Sequence, residues 1–264
     1  MTRTAANRPG ITLEVSGLVA VAAVFLVGFQ TFVAPAVAAE APLNPVVVVV
    51  ALWTAVAAYL AFAVAAATDR RPGQPLGLAT APTIARGGLY AVVATFVVVS
   101  PTGRVVWVPA ACYGAGVLLD RVDGSVARTV GHETPLGRRL DVATDTFGFV
   151  AAPLLAVAWG QLPVWYLSLS AARYVYRGAK YQRRLRGLAL SDRPDSDLGR
   201  YLAGGQMVFL TLVLTPAVAP EPAAAVAPLA LAPSLGVFVR DYLHVSGRLP
   251  LGSDAPGGVP TDDT

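Results

Sequence analysis

The sequence predicts an all-α membrane protein, a polytopic bundle of about eight transmembrane helices. Of its 264 residues, 55% are hydrophobic and only 14% are charged. The mean hydropathy is +0.59, which lies outside the usual range for a soluble domain. Apolar runs recur along almost the whole chain at the length of roughly 20 helical residues that crosses a hydrocarbon core of about 30 Å. These runs are continuous, whereas the strands of a closed barrel alternate polar and apolar residues.

Segments that contain Pro, Gly and charge separate eight predicted spans. The spans run over residues 13–36, 45–67, 83–99, 105–126, 141–159, 163–181, 198–218 and 223–244. The first is longer than the h-region of a signal peptide, so we expect it to remain as an anchor. The expected domains are an N-terminal pair of spans within 1–71, a six-helix core over 72–245 and a disordered cytoplasmic tail over 246–264. The single cysteine, Cys112, excludes a disulfide within the chain.

Basic residues are distributed unequally between the two sides of the predicted bundle. One side receives most of them, whereas the other receives Arg104 together with Glu40 and Glu221. Because positive charge resists translocation, the basic side is predicted to be cytoplasmic and to carry both termini. A formal net charge of +4 is then explained by anionic lipid headgroups, and we expect no nucleic-acid partner. The residues on or near the basic side are Arg70, Arg71, Arg121, Arg128, Arg138, Arg139, Lys180, Arg183, Arg184, Arg186, Arg193 and Arg200.

Four aspartates lie at or inside the ends of the fourth and fifth predicted spans: Asp120, Asp123, Asp141 and Asp145. A charged side chain within a membrane helix costs about 2.5–3.5 kcal/mol, and four at one depth repel one another, so a cation is expected to neutralise them. The members of each pair are three or four residues apart and therefore share a helix face. Two helices can direct these carboxylates into one cavity, where all-oxygen ligation favours hard divalent cations. The sequence thus predicts a paired-metal phosphate site.

Small residues lie on the same helix faces as these aspartates. Gly124 and Ala127 lie on the first face, where a larger side chain would fill the space that a nucleotide needs, and Gly137 lies one turn before the second pair. Arg128, at the helix end, can hold a phosphate or face water and headgroups. The alternative is that the aspartates are interfacial helix-end residues without a metal. Their partners would then be Arg121, Arg138 and Arg139.

The segment from 120 to 145 resembles the signature of the CDP-alcohol phosphatidyltransferase family, D-x2-D-G-x2-A-R-x8-G-x3-D-x3-D. Upstream, Thr83-x2-Arg86 resembles a T-x2-R element that precedes the family's first helix, although Thr80 stands where the family often has Asn. The residues that match the signature, without departure, are Asp120, Asp123, Gly124, Ala127, Arg128, Gly137, Asp141 and Asp145.

The resemblance implies a six-helix core in which the four aspartates bind two Mg²⁺ or Mn²⁺ ions that hold the diphosphate of a CDP-activated lipid. It also implies that Asp145 is the general base for the acceptor hydroxyl. The expected enzyme is a metal-dependent phosphotransferase of phospholipid biosynthesis that moves a phosphatidyl-type group, built on diacylglycerol or archaeol, to an alcohol and releases CMP. The residues expected to contact the CDP donor are Gly124, Ala127, Arg128, Gly137, Thr83 and Arg86.

A second cytoplasmic segment, residues 172–200, is dense in basic residues. Arg173, Arg177 and Lys180 share one helical face near its cytoplasmic end, which suits an anionic acceptor such as glycerol phosphate or inositol phosphate. A positive-inside anchor accounts for the same residues. Family members with phosphorylated acceptors place basic residues here, whereas those that use serine or choline need not. The predicted acceptor is therefore a phosphorylated polyol.

Three alternatives have different functions: a CDP-lipid serine transferase, a divalent-cation transporter and an inactive membrane scaffold. A transporter more often shows internal repeats or broken helices, and a scaffold is expected to have lost at least one aspartate. The sequence shows neither feature. The expected location is the plasma membrane with the active site on the cytoplasmic side, and the family's dimeric habit implies a homodimer.

Overall fold

The computed structural model describes residues 80–99, 101–130, 135–188 and 197–248, together with five single residues between 31 and 54. Within these ranges it describes the side chains except those of residues 80–81 and 122–139. Apart from these single residues, the predicted N-terminal pair of spans lies outside the described residues, as does most of the predicted tail. The division of the chain into three domains therefore stays a prediction.

Six α-helices and two short 3₁₀ turns make up the described ranges, which contain no strand. This confirms the predicted helical bundle. The total of eight spans stays a prediction, because two of them lie almost wholly outside the residues that the structure describes. The 3₁₀ turns, Gly103–Trp107 and Val164–Leu167, precede the second and fourth helices. The helices are α1 Thr80–Thr95, α2 Val108–Val130, α3 Pro135–Ala158, α4 Ser168–Leu185, α5 Asp197–Val213 and α6 Pro220–Val245.

The helices differ from the predicted spans by one to six residues at each end. Helix α3 begins at Pro135, six residues before the predicted span, because proline suits the first turn of a helix, where its missing N–H has no partner to lose. In the described part of the chain, two helical stretches are long and apolar enough to cross a membrane by themselves, Leu140–Ala158 and Pro220–Val245. Helix α1, with 16 residues, is only about 24 Å long.

Helix α1 packs against both α2 and α3, and these three helices form one half of the bundle. In the other half α6 packs against α4 and α5, while α5 also contacts α2 and α3. The buried face of α1 carries Tyr90, Ala91 and Val93, and Phe96 follows the end of the helix; all four are at most 1% exposed. The two halves meet where α5 contacts α2 and α3 and where α4 contacts α3.

Tyr90 is the central packing residue of the first half. Its ring is fully buried and lies between Gly116 of α2 and Gly148 of α3. A Cβ atom added at Gly116 would lie 2.5 Å from Tyr90 Cε1, and one added at Gly148 would lie 2.5 Å from Cε2. The two glycines thus leave space for opposite edges of the ring, and this space allows α1 to approach both α2 and α3 closely.

We expect Gly148→Ala to lower the free energy of unfolding by about 1–3 kcal/mol, because the new methyl group must displace a ring that has no free space. The measurement is thermal unfolding of the purified protein in detergent. Gly236→Ala is the matched control, since nothing lies within 4 Å of a Cβ at that helical glycine. It should be neutral or slightly stabilising. Equal stability of the two variants would contradict the role of the Tyr90 ring.

Candidate active site

A buried arginine joins three of the predicted aspartates into one cluster. Arg86 of α1 is 0% exposed, and its guanidinium pairs with Asp120 of α2 and with two aspartates of α3. Its Nη2 lies 2.5 Å from Asp141 Oδ1 and 3.1 Å from Asp145 Oδ1. One cation thus contacts carboxylates from two other helices, and the first half of the bundle converges on this point.

The helical repeat explains why these side chains meet. Asp141 and Asp145 are one turn apart on α3 and therefore lie on the same face. Arg86 lies one turn before Tyr90 on α1, so the packing of the Tyr90 ring against α2 and α3 also brings the guanidinium to the carboxylates. Thr83, almost one turn before Arg86, is 4% exposed and belongs to the same buried face.

The chemistry and the spacing of the cluster fit a divalent cation. One carboxylate oxygen from each of Asp120, Asp141 and Asp145 lies within 4.8 Å of the other two. An octahedral Mg²⁺ with bonds of about 2.1 Å places opposite ligand oxygens about 4.2 Å apart, so small side-chain movements would bring the three to coordination distance. The four groups, with Arg86 included, keep a formal charge of −2. In a membrane bundle that excess charge favours a bound cation.

A cavity of about 540 Å³ opens beside the cluster and reaches from α3 to α4, α5 and α6, a volume typical of small-molecule sites. Asp145 lines it together with Arg173, Arg177 and Lys180, the three residues predicted to bind an acceptor. These four residues come from two separate segments of the chain, and the structure brings them to one cavity.

Aromatic rings support two of the cavity's cations. The Arg173 guanidinium lies 4.5 Å from the centre of the Phe149 ring, and the Lys180 ammonium lies 5.5 Å from that of Tyr176. Both distances are within the range of favourable cation–π contacts. Phe149 follows Asp145 by one turn of α3, so the same helix face carries the carboxylate and the ring that supports a cation.

A family model, CDP-alcohol phosphatidyltransferase, matches residues 76–237. The chain belongs to this family. A search of curated proteins gives no match.

Membership in the CDP-alcohol phosphatidyltransferases establishes the general reaction. The chain is an integral membrane phosphotransferase whose substrates are a CDP-alcohol and an acceptor alcohol, and it transfers a phosphatidyl-type group from the first to the second. The matched segment contains α1 to α5 and most of α6, so the cluster and almost all of the cavity lie within it.

Several residues of the predicted site have no described side chain. Helix α2 passes through Asp123, Gly124, Ala127 and Arg128, and α3 passes through Gly137. Their side chains lie outside the described residues, and their roles as metal ligand and donor contacts stay predictions. The predicted donor role of Arg86 also stays a prediction, and the contacts that the structure gives this residue are with the aspartates.

Sequence reasoning missed four polar residues that line the cavity: Arg184, Gln206, Ser234 and Asp241. Arg184 continues the cationic face of α4, since it follows Arg177 by seven residues, or two turns. Asp241 carried a detectable signal, because it is the one acidic residue of the predicted span 223–244. Gln206 and Ser234 gave none, since single neutral polar residues are common in membrane helices.

Replacing Arg86 by Leu should lower the free energy of unfolding in EDTA by about 3 kcal/mol, near the lower end for breaking a buried ion pair because the carboxylates are partly exposed. The measurement is again thermal unfolding in detergent. Arg200→Ala provides the control, since its pair with Asp197 is 2.9 Å long but both side chains are at least 75% exposed. Such surface pairs contribute about 0–1 kcal/mol. The cluster would not be a structural requirement if both variants unfolded at the same temperature.

Proposed function

We propose that this protein transfers a phosphatidyl-type group, built on diacylglycerol or archaeol, from a CDP-lipid to a phosphorylated polyol such as glycerol phosphate or inositol phosphate, and releases CMP. The observation that carries the proposal is the shared cavity, in which Asp145 of the carboxylate cluster lies with Arg173, Arg177 and Lys180. A phosphate ester carries up to two negative charges and can accept hydrogen bonds from several cations. Serine, the alternative acceptor, carries one carboxylate and an ammonium group, so it is less well matched to three cations.

The proposed metal ligands are Asp120, Asp123, Asp141 and Asp145, which would hold two Mg²⁺ or Mn²⁺ ions. When bound, such ions polarise the diphosphate and stabilise the charge that develops on the leaving CMP. The oxygen spacing of the three described carboxylates supports this assignment. Residues proposed to contact the CDP donor are Gly124, Ala127, Arg128, Gly137, Thr83 and Arg86.

Asp145 is the proposed general base. It is the one aspartate of the described cluster that also lines the cavity, so its carboxylate can reach an acceptor hydroxyl there. It would take the hydroxyl proton as the acceptor oxygen forms a bond to the phosphorus that carries the lipid alcohol. The bond from that phosphorus to the CMP oxygen then breaks, and CMP leaves.

Helix α4 is proposed to hold the phosphate of the acceptor. Arg173, Arg177 and Lys180 follow one another at spacings of four and three residues, so their charges lie along one face. The ring of Phe149 holds the Arg173 guanidinium beside α3, which reduces the freedom that this side chain would lose on binding. A phosphate held on this face keeps the rest of the acceptor close to Asp145.

The membrane location, the domain order and the oligomeric state are part of the same proposal. The proposed location is the plasma membrane, and charge asymmetry supports an orientation with the active site and both termini on the cytoplasmic side. The N-terminal pair of spans within 1–71 would flank a catalytic core over 72–245, with 246–264 as a cytoplasmic tail, and two copies of the chain would form a homodimer. A divalent-cation transporter and an inactive scaffold are the alternatives, and each would give no acceptor-dependent CMP.

The test is CMP release by the purified full-length protein with a CDP-lipid and Mg²⁺. The acceptor panel contains glycerol phosphate, inositol phosphate, serine and no acceptor. Release that depends on a phosphorylated polyol and disappears with EDTA would support the proposal. Release with serine alone would move the assignment to the serine transferase, and no release across the panel would exclude transfer to these acceptors.

Asp145→Asn should reduce the rate of CMP release by at least about 100-fold, the usual contribution of a general base. The amide is of equal size and keeps one oxygen that can ligate a metal ion, so binding of CDP, measured by equilibrium dialysis, should remain close to that of the wild type. The assignment of Asp145 as the base is wrong if turnover stays near the wild-type rate.

Arg173→Ala or Arg177→Ala should raise the KM for a phosphorylated acceptor by about tenfold, as expected for a lost charge-assisted hydrogen bond. The KM for CDP-lipid should change little. Arg186→Ala is the control, because Arg186 lies just beyond the end of α4 and is exposed, and it does not line the cavity. Equal changes in both KM values would instead assign the two arginines to the donor or to folding.

A further inference from the structure

Asp145 is held differently from the other two described aspartates of the cluster. Arg86 donates a hydrogen bond to Asp120 Oδ1 and another to Asp141 Oδ1. Its contact with Asp145 Oδ1, at 3.1 Å, is an ion pair without the geometry of a hydrogen bond. That oxygen is buried, and no described residue donates a hydrogen bond to it. Carboxylates that bind metal ions are normally oriented by a hydrogen bond from a further group, so Asp145 requires a donor other than Arg86.

Tyr90 carries a buried hydroxyl that is not used elsewhere in the described part of the chain. The side chain is 0% exposed, and its Oη has no hydrogen-bond partner there. A buried hydroxyl without a partner costs free energy, so its presence in a packed core requires an explanation. Packing gives none, because the ring of a phenylalanine would make the same ring contacts with Gly116 and Gly148.

The position of the ring directs this hydroxyl to the cluster. Gly148 follows Asp145 by three residues on the same face of α3, and a Cβ atom at Gly148 would lie 3.0 Å from Tyr90 Cζ, the carbon that bears the hydroxyl. On the other side, Tyr90 Oη would lie 3.2 Å from a Cβ atom at Gly116 of α2. The hydroxyl is thus enclosed by the two helices that carry the aspartates. Of the three described aspartates, Asp145 interacts most strongly with it.

Two other pairings are less well supported. The ring centre of Tyr113 lies 5.2 Å from that of Tyr90, but both hydroxyls lack a hydrogen-bond partner among the described residues, so they do not bond to each other. Arg86 Nε is a second buried donor without a partner in the same part of the structure. The Arg86 guanidinium cannot turn toward Asp145, however, without losing its bonds to Asp120 and Asp141. Tyr90 is the donor that can serve Asp145 at the expense of no other contact.

We propose that Tyr90 is a positioning residue of the metal site, whose hydroxyl donates a hydrogen bond to the Asp145 carboxylate when a divalent ion is bound. The inference rests on the proposed function in one respect, the assignment of Asp145 as a metal ligand. The bond forms as the carboxylates move to coordination distance, and it fixes the orientation in which Asp145 meets both the ion and the cavity.

The test is Mn²⁺ binding to the full-length protein in detergent, followed by electron paramagnetic resonance without nucleotide or acceptor. Tyr90→Phe should raise the Kd for Mn²⁺ about tenfold, the lower end of the effect of an outer hydrogen-bond partner. Its unfolding temperature in EDTA should rise by about 2–4 °C, because a buried hydroxyl without a partner is removed. General damage to the fold would instead weaken binding and lower the unfolding temperature. An unchanged Kd, or a lower unfolding temperature in EDTA, would overturn the inference.

Tyr166→Phe is the matched control. Tyr166 is also 0% exposed, but its hydroxyl already donates to Gln206 Oε1. Loss of that bond should lower the unfolding temperature and leave the Kd for Mn²⁺ unchanged. A similar tenfold increase in this variant would show that Mn²⁺ binding responds to the loss of any buried hydroxyl, and would overturn the assignment to Tyr90.

A double-mutant cycle identifies the acceptor of the hydrogen bond. In an Asp145→Ala background, Tyr90→Phe should change the Kd for Mn²⁺ by less than about twofold, because the carboxylate through which the hydroxyl acts is absent. In an Asp120→Ala background, the effect of about tenfold should remain. Equal effects in the two backgrounds would overturn Asp145 as the acceptor.

The same measurements separate this inference from the proposed function. A wild type that binds no Mn²⁺ would contradict both the proposed metal site and the role of Tyr90. Equal Mn²⁺ affinities of the wild type and Tyr90→Phe, together with acceptor-dependent CMP release by the wild type, would support the proposed function and overturn the inference alone. Weaker Mn²⁺ binding by Tyr90→Phe without any CMP release by the wild type would support the inference and contradict transfer to the tested acceptors.

Discussion

The contact of Arg86 with three aspartates is the interaction on which the rest of the structure depends. A guanidinium that is 0% exposed is stable in a membrane bundle only beside negative charge, and carboxylates at one point require a cation in turn. Arg86 satisfies part of each requirement, because it holds Asp120, Asp141 and Asp145 together. The formal excess of negative charge that remains is what makes the cluster suitable for a divalent metal.

Packing and electrostatics support each other at this point. The ring of Tyr90 fits against Gly116 and Gly148, and this close approach of α1 to α2 and α3 allows a single guanidinium to reach carboxylates on both neighbours. A larger residue at either glycine would separate the helices, and the ion pairs would lengthen with them. Close-packed interiors transmit such changes because they contain few voids. Gly116 and Gly148 thus contribute to the site indirectly, because they allow the close packing that brings Arg86 to the aspartates.

The sequence was sufficient for the helical class, for the pairing of Asp141 with Asp145 and for the cationic face of α4, because each depends on contacts within one helix. It was not sufficient for the partners of Arg86, which are 34, 55 and 59 residues away in the chain. The T-x2-R resemblance pointed to Arg86 but placed it with the donor. Asp241 was visible as an acidic residue in an apolar run, yet its position at the cavity depends on how α6 packs against α4.

The cavity places its charges in an order that matches the chemistry of group transfer. Asp145 belongs both to the carboxylate cluster and to the cavity, so a group bound in the cavity and a diphosphate held at the cluster would meet at this one residue. Cations lie on the α4 side, and neutral and acidic groups lie on the α5 and α6 side. A ligand with a phosphate at one end and hydroxyls at the other fits this polarity in one orientation only. In the proposed reaction, the arrangement of charge would determine which end of an acceptor faces α4, and the position of Asp145 would determine which of its atoms reacts.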